Sequence, residues 1–462
     1  MTESSKAQAN SNEAASTLEA VYQSLTSEDD GRVCKDIPDS ACRHQPKNVV
    51  THVISLTSTK VADGLIDPKL ILSWLMSALG ASSFMIGLLV PIREAGALLP
   101  QLFTAGALRQ MPQRKWAWAA GSFVQGACAA GMALSALFLE AKTAGWVILI
   151  LLAILAVARS VCSVSYKDVL GKTVSKSMRG RTTGLAASIA AGAVIAYALL
   201  LSSGWLERQS LVIGGLLVAG ALWIFASVIF ASLAEEKGAT EGGGNPLTVA
   251  RENFSLLAKD KQLIRFISVR GLLIATALAP PFMVTLGGES TRGDSLEQSG
   301  MGNLLSGLGP LVLASALASL LSSYVWGHLS DRSSRRVLIY SGLFAALALA
   351  LTAIFHWQDL LQQSIILPAL LFILMIAYHG VRLGRSTHLV DMADADNRAA
   401  YTALSNTIIG LLLLAGAVFS VIAEYFGLRA VMVVMTAMCL LSSWIALGLN
   451  EVQKEVQSDE SD

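Results

Sequence analysis

The decapeptide Gly327-His328-Leu329-Ser330-Asp331-Arg332-Ser333-Ser334-Arg335-Arg336 is a cationic turn with one carboxylate, set between two long apolar stretches. An echo, Gly106-Ala107-Leu108-Arg109-Gln110-Met111-Pro112-Gln113-Arg114-Lys115, lies 221 residues earlier, counted from Gly327 back to Gly106. Gly, Leu and the closing basic pair repeat in register. A charged turn duplicated at half-chain spacing inside an apolar chain implies two similar membrane bundles joined end to end.

Composition agrees. Of 462 residues, 53% are hydrophobic and only 15% charged, against about 25% charged in soluble domains. Many apolar runs reach or approach the ~20 residues that cross hydrocarbon. Glycine inside the runs and the lack of a ten-residue alternation favour helices over a barrel. A net charge of +1 carries no information on partners. Of the five cysteines, Cys128, Cys162 and Cys439 fall in apolar runs and read as small core residues. Cys34, Cys42 and His44 sit together in a polar N-terminal stretch without the fourth ligand that a metal needs, and no cleavable signal peptide precedes them.

The chain divides into a polar tail at 1–47, expected to be disordered, and a first bundle at 48–233. A cytoplasmic linker at 234–262, a second bundle at 263–450 and a tail at 451–462 follow. The first bundle offers spans near 49–79, 82–106, 117–139, 145–165, 183–203 and 210–232 (spans 1 to 6). The second offers spans near 264–286, 302–326, 337–356, 364–384, 401–422 and 428–449 (spans 7 to 12). Hydropathy alone would accept Leu70–Ile92 as one crossing, but the repeat aligns 82–106 with 303–327 and makes Leu79–Ser82 a turn. Span 1 then runs for about thirty residues, or ~45 Å at 1.5 Å each, interrupted at Asp67-Pro68.

Lys and Arg in the short turns set the orientation. One side carries Arg109, Arg114, Lys115, Lys167, Lys172, Lys176, Arg179, Arg181, Arg332, Arg335, Arg336, Arg385 and Arg398. The other carries only Lys142, Arg208, Arg292 and Arg429. Both termini are therefore expected in the cytoplasm. The sole Asn-x-Ser/Thr triplet, Asn253-Phe254-Ser255, falls on the same side, and with the compact loops points to a bacterial inner (plasma) membrane.

Twelve spans, a central linker and the duplicated turn together resemble the major facilitator superfamily of secondary transporters, over about 48–450. The family's signature turn runs roughly Gly-x-Leu-x-Asp-Arg-x-Gly-Arg-Arg after spans 2 and 8. The copy after span 8 departs mainly at Ser334. The copy after span 2 has Gln110 in place of Asp and Met111 in place of Arg. The resemblance implies an all-α membrane protein of two pseudo-symmetric six-helix bundles, and these turns acting as a latch. Gly327, Asp331, Arg332, Arg335 and Arg336 would then form a latch with Arg179 and Arg181. In that reading span 5 begins after Arg179-Gly180-Arg181, and Asp331 meets its positive N-terminal end. The plain reading is a solvated turn that fixes topology. Drug/proton antiporters of the family usually carry Gly-Pro in span 5; here Gly184 and Gly192 occur without the proline.

Charges inside the spans point to the site. Lys60 and Asp63 share a helix face in span 1, Asp67 follows, and Arg93 and Glu94 lie near the middle of span 2. A lipid-facing charge at mid-depth costs about 2.5–3.5 kcal/mol, so Lys60, Asp63, Arg93 and Glu94 facing lipid would cost roughly 10 kcal/mol, a protein's whole stability. They should face the interior and neutralise one another. Either the cluster lines a substrate or proton pathway, with Asp63 or Glu94 as the coupling carboxylate, or Lys60–Asp63 and Arg93–Glu94 merely pin spans 1 and 2. Asp67-Pro68 marks either a broken helix at a binding site or a capped kink. Arg159, His379 and Arg382 suggest a cationic vestibule suited to an anion, while Arg270 reads as a side chain snorkelling to the interface. Gln101, Gln125 and Asn406 can bond a polar solute or a neighbouring helix.

The expected function is secondary active transport of a small polar or anionic metabolite by alternating access, coupled to protons. Drug or metabolite efflux and a transporter-shaped sensor or scaffold are the alternatives. Expected partners are the solute, protons and the lipid bilayer, with no nucleic acid, cofactor, metal or catalytic residue; no phosphate-binding loop or triad pattern is present.

Overall fold

The computed structural model describes residues 39–101, 104, 108, 110–238, 260–292, 307–393 and 398–452. Residues 1–38, Arg109, the segment 241–246, residues 453–462 and the side chains of Asp331 and Arg398 lie outside the described residues.

Span 1 comprises α1 (Asp39–Leu65) and α2 (Ile71–Ala78), and span 2 is α3 (Ser83–Leu98). Spans 3 to 6 are α4 (Lys115–Phe138), α5 (Ala141–Thr173), α6 (Lys176–Ser203) and α7 (Arg208–Ala231). Span 7 is split into α8 (Lys261–Leu272) and α9 (Ala275–Arg292). Spans 8, 9 and 10 are α10 (Leu308–Arg332), α11 (Ser334–Trp357) and α12 (Ile366–Met392). Span 11 is α13 (Arg398–Ala415) with α14 (Val418–Phe426), and span 12 is α15 (Leu428–Ala446).

Among the described residues, nine helical stretches are long and apolar enough to cross a membrane. Spans 1, 2 and 8 fall outside that set. Span 1 is broken and charged, and helix α3 of span 2 has 16 residues. The turn between spans 1 and 2 falls at Leu79–Ser82, where Gly80 takes φ +83° and Ser82 caps α3 by accepting the Met85 N–H.

Two boundaries differ from those expected. Helix α1 begins at Asp39, inside the segment 1–47 that composition assigns to a disordered tail. Its polar residues have partners there: Gln45 accepts the Ser175 N–H at 3.2 Å, and Asn48 bonds both backbone groups of Ala234 at 3.1 Å. Helix α6 begins at Lys176, so Arg179, Gly180 and Arg181 occupy its first turns rather than preceding it. Ser175 takes the extended geometry of an N-cap, and arginine propagates a helix readily.

At the break in span 1, the Asp67 carboxylate accepts the Lys69 N–H at 2.7 Å, and the Asp67 carbonyl accepts the N–H of Ile71 at 2.9 Å. Ser73 Oγ donates to the carbonyl of Pro68 at 2.7 Å. The backbone groups freed by proline are thus satisfied inside the fold, as burial in a membrane requires. Span 7, the corresponding first span of the second half, is also broken, at Leu273–Ile274.

Spans 1 to 6 pack on one another and spans 7 to 12 do likewise; the halves meet where span 5 lies on span 8 and span 2 lies on spans 7 and 11. Backbones approach closely at selected glycines. A Cβ on Gly126 would stand 2.7 Å from the carbonyl of Gly220, joining spans 3 and 6. A Cβ on Gly309 would stand 2.6 Å from the backbone nitrogen of Ser202, joining spans 8 and 5 across the halves.

These contacts are uneven along the molecule. One apolar core runs through both halves, including Leu75, Met76, Ile86, Leu201, Phe282, Leu311 and Phe419. Toward the end that bears the basic turns, each half has its own core: Trp118, Val169 and Phe230 in the first, Leu263, Phe266 and Leu449 in the second. The same divergence shows in spans 5 and 8. They touch at Ser202 and Gly309, yet no described residue stands within 4 Å of a Cβ on Gly180, Gly184 or Gly327 near their other ends. Among the described residues, the halves therefore part toward the basic end and pack closely at the opposite one.

Candidate functional site in the cleft between the halves

The charged residues of the spans converge on this cleft. Asp63 sits between two guanidiniums: Arg93 donates to its Oδ1 at 3.1 Å and Arg159 donates to both of its oxygens. Glu94 pairs with Lys69 at 3.6 Å. Lys69 also donates to the hydroxyl of Tyr378 at 2.9 Å and lies 4.2 Å from the centre of that ring. This last contact joins span 1 to span 10, one half to the other. It places the polar floor of the cleft beside the break in span 1.

The pairings differ from Lys60–Asp63 and Arg93–Glu94. Asp63 reaches across to spans 2 and 4, because a carboxylate accepts from two guanidinium forks at once. Lys60 is left exposed, with no ion pair among the described residues, and faces Asp63, Arg159 and Arg382 electrostatically. Arg382 and Arg385 of α12 face Glu94 from the second half. His379 stands beside Tyr378, with Arg382 and Lys69 nearby. Asp67 serves as the cap of the broken helix and also faces Lys69 and Arg93. Six cations (Lys60, Lys69, Arg93, Arg159, Arg382, Arg385) thus gather with three carboxylates.

The cluster is only partly enclosed. Side-chain exposures are 24% for Asp63, 35% for Glu94 and 37% for Arg159, while Arg93 is 10% exposed at the back. The carboxylates and Arg159 are thus partly exposed rather than fully enclosed.

Three placements escape a reading of the sequence. Lys69, one residue beyond the Asp67-Pro68 break, and Tyr378, on the same helix as the candidate His379, form the inter-half contact. Arg385, a turn residue by hydropathy, instead lies within α12 and faces the cleft. Arg270 does not snorkel: it is 6% exposed and donates to Ser405 Oγ at 2.6 Å and to Asn406 Oδ1 at 2.8 Å. Gln101 and Gln125 bond the carbonyls of Ala97 and Gly121 in their own helices. Cys42 is disulfide-bonded and His44 is exposed, and no group of metal-binding side chains occurs among the described residues.

At the basic end, several turn residues are tied within their own halves. Arg114 and Lys172 both pair with Asp168, Lys172 at 2.7 Å. Glu235 accepts the backbone N–H groups of Arg114 and Lys115 at 3.1 and 2.8 Å, at the start of α4. In the second half, Arg335 pairs with Glu451 at 3.4 Å and donates to the Leu449 carbonyl at 3.0 Å. Arg179 donates to the carbonyls of Val174 and Gly171 at the end of α5. Arg332 and Arg336 are exposed, and Gly327 is half-buried beside open space. Each of these bonds stays within one half.

Tyr378→Phe keeps the ring under the Lys69 ammonium and removes the hydrogen bond. The expected loss is about 1.5–3 kcal/mol, the usual range for a bond to a charged group, read as a lower thermal midpoint of the purified protein. An unchanged midpoint would mean that the contact adds nothing.

Two six-helix halves that seal one end and open a charged cleft at the other define a membrane transporter fold. Residues 293–462 match the family model of the Major Facilitator Superfamily. No curated protein matches the chain in sequence. Among solved structures, a mutant of the nucleoside transporter NupG matches with a TM-score of 0.67 at 15% identity, over 87% of this chain and 99% of that one. A POT family transporter in complex with a thioalcohol-conjugated peptide matches with a TM-score of 0.68 at 10% identity, over 89% and 98% of the two chains. Another, in complex with 5-aminolevulinic acid, gives 0.65 at 9% identity, over 87% and 95%. At such identities the likeness is one of fold. Residues 293–462 thus match the Major Facilitator Superfamily, and the chain as a whole has the multi-pass membrane fold of these transporters.

Proposed function

We propose that the protein is a secondary active transporter of a small anionic or polar metabolite, working by alternating access and coupled to protons. The observation that carries this reading is the excess of cations in a cleft contributed by both halves, with Lys60 and Arg382 exposed there and unpaired among the described residues. Keeping such charge in a membrane protein is costly, and a bound anion offsets that cost. The reading takes the basic end as cytoplasmic, by the distribution of Lys and Arg in the turns, in a bacterial inner membrane.

Glu94 is the carboxylate best suited to carry a coupled proton. Asp63 is held by two arginines, whereas Glu94 has one partner at 3.6 Å and faces the open cleft. Gln at position 94 leaves the shape and removes the titrating group. In proteoliposomes, the native protein should accumulate an anionic metabolite under an imposed pH gradient. Glu94→Gln should still equilibrate the solute yet lose gradient-driven accumulation. Accumulation by the variant equal to the native level contradicts the role of Glu94; movement of no anion by the native protein contradicts the transport reading itself.

A further inference from the structure

Building on the anionic-solute reading above, we infer that the solute is a small organic dianion gripped across the cleft by Lys60 of span 1 and Arg382 of span 10, and that it moves mainly by exchange. Internal pairing accounts for part of the charge. Asp63 is shared by Arg93 and Arg159, and Glu94 is paired with Lys69. Lys60, Arg382 and Arg385 make no ion pair with any described residue, although all three face the cluster. Six cations and three carboxylates leave three positive charges over. A monoanion leaves two of them uncompensated; a dianion leaves one.

Position adds a second constraint. Lys60 and Arg382 come from opposite halves and are both exposed; Lys60 lies one helical turn from Asp63, and Arg382 one turn from Tyr378, which bonds Lys69 beside the same cluster. When the basic end closes, the cleft narrows, water leaves and these like charges strengthen their repulsion as the local dielectric falls. A bound dianion turns the repulsion into two attractive contacts. The loaded protein can close while the empty one is held back, because a ligand shifts a conformational equilibrium only by its differential affinity for the two states. Exchange of one solute for another then outruns net flow.

The test uses the full-length protein and a charge series. Probes are dicarboxylates of three to six carbons and small phosphate monoesters, each beside its monoanionic amide or phosphate methyl ester and a neutral counterpart. Within one of the two series, the dianion should bind by thermal shift at least tenfold more tightly than its monoanion. Which series does so tells a carboxylate head from a phosphate head. Lys60→Gln and Arg382→Gln should each weaken that binding by roughly 10- to 100-fold, while Lys60→Arg keeps most of it. Neither residue has an ion pair to break, so the neutral variants are expected to fold. In proteoliposomes, native exchange should exceed net efflux by at least tenfold, and either neutral variant should narrow the ratio. Monoanions or neutral analogues binding as tightly as dianions, or native net efflux as fast as exchange, overturns the inference while leaving anion transport intact. Transport of no charged solute at all ends both.

Discussion

Asp63→Asn should abolish transport and cost the protein a large part of its stability. Among the described residues, the carboxylate is the ion-pair partner of both Arg93 and Arg159, which approach it from spans 2 and 4. Removing one member of a buried charge network leaves the others desolvated and unpaired, typically at about 3–5 kcal/mol. A quarter of the Asp63 side chain is open to water, at 24% exposure, so the lower part of that range applies. The asparagine amide can still accept a hydrogen bond, but it cannot balance two guanidiniums. Restoring the balance with Arg159→Gln in the same chain should recover most of the thermal midpoint, since one cation then leaves with the carboxylate. Transport should stay lost, because the charge pattern of the cleft is altered. A single variant with native stability would show that solvent already screens the cluster. A double variant no more stable than the single would show that Asp63 acts through something other than Arg159.

Much of this arrangement is legible in the sequence, for a physical reason. The insertion cost of Lys60, Asp63, Arg93 and Glu94 forces them into the interior, whatever the details of packing. The repeated turn fixes the two halves, and Asp67-Pro68 fixes the break. What periodicity cannot supply is which spans are neighbours. Pairing within a span looks sufficient for Lys60 and Asp63, because helical spacing puts them side by side. The structure instead brings Arg159 from span 4 to that carboxylate, a contact set by helix packing 96 residues away along the chain. Lys69 escapes notice because it follows the proline, where a helical pattern stops. Arg385 resembles a turn residue because hydropathy ends span 10 near residue 384, whereas α12 continues to Met392. Charged helix ends that line a cleft look like loops to any hydropathy argument. The helical start at Asp39 is hidden in the same way, by polar residues whose partners lie on spans far away in sequence.

Gly309→Leu and Gly327→Leu should stop transport by jamming opposite ends of the same pair of helices. At the sealed end, a Cβ on Gly309 would meet the backbone of Ser202 at 2.6 Å to nitrogen and 2.8 Å to Cα, and would also meet the Ser202 hydroxyl. Backbone atoms cannot rotate away, so spans 5 and 8 must separate there. The shared core that includes Leu201, Met76 and Phe282 then loses its seal. Met76, fully buried in the present arrangement, supplies the readout. In a variant lacking the native cysteines, Met76→Cys should be protected from a membrane-impermeant maleimide applied to the side opposite the basic end. It should become reactive when Gly309→Leu is added. Gly327 gives the converse. No described residue stands within 4 Å of its Cβ position, nor of those on Gly180 and Gly184, so Gly327→Leu should cost little in this conformation. If these glycines are the surfaces that meet when the basic end closes, a leucine there blocks the close approach that small residues permit. Gly327→Leu should therefore fold with a native thermal midpoint, bind solute, and transport at least tenfold more slowly. A Gly327→Leu protein that transports at the native rate would place the closing contact elsewhere. An unreactive Met76→Cys in the Gly309→Leu background would mean that the far seal does not depend on spans 5 and 8.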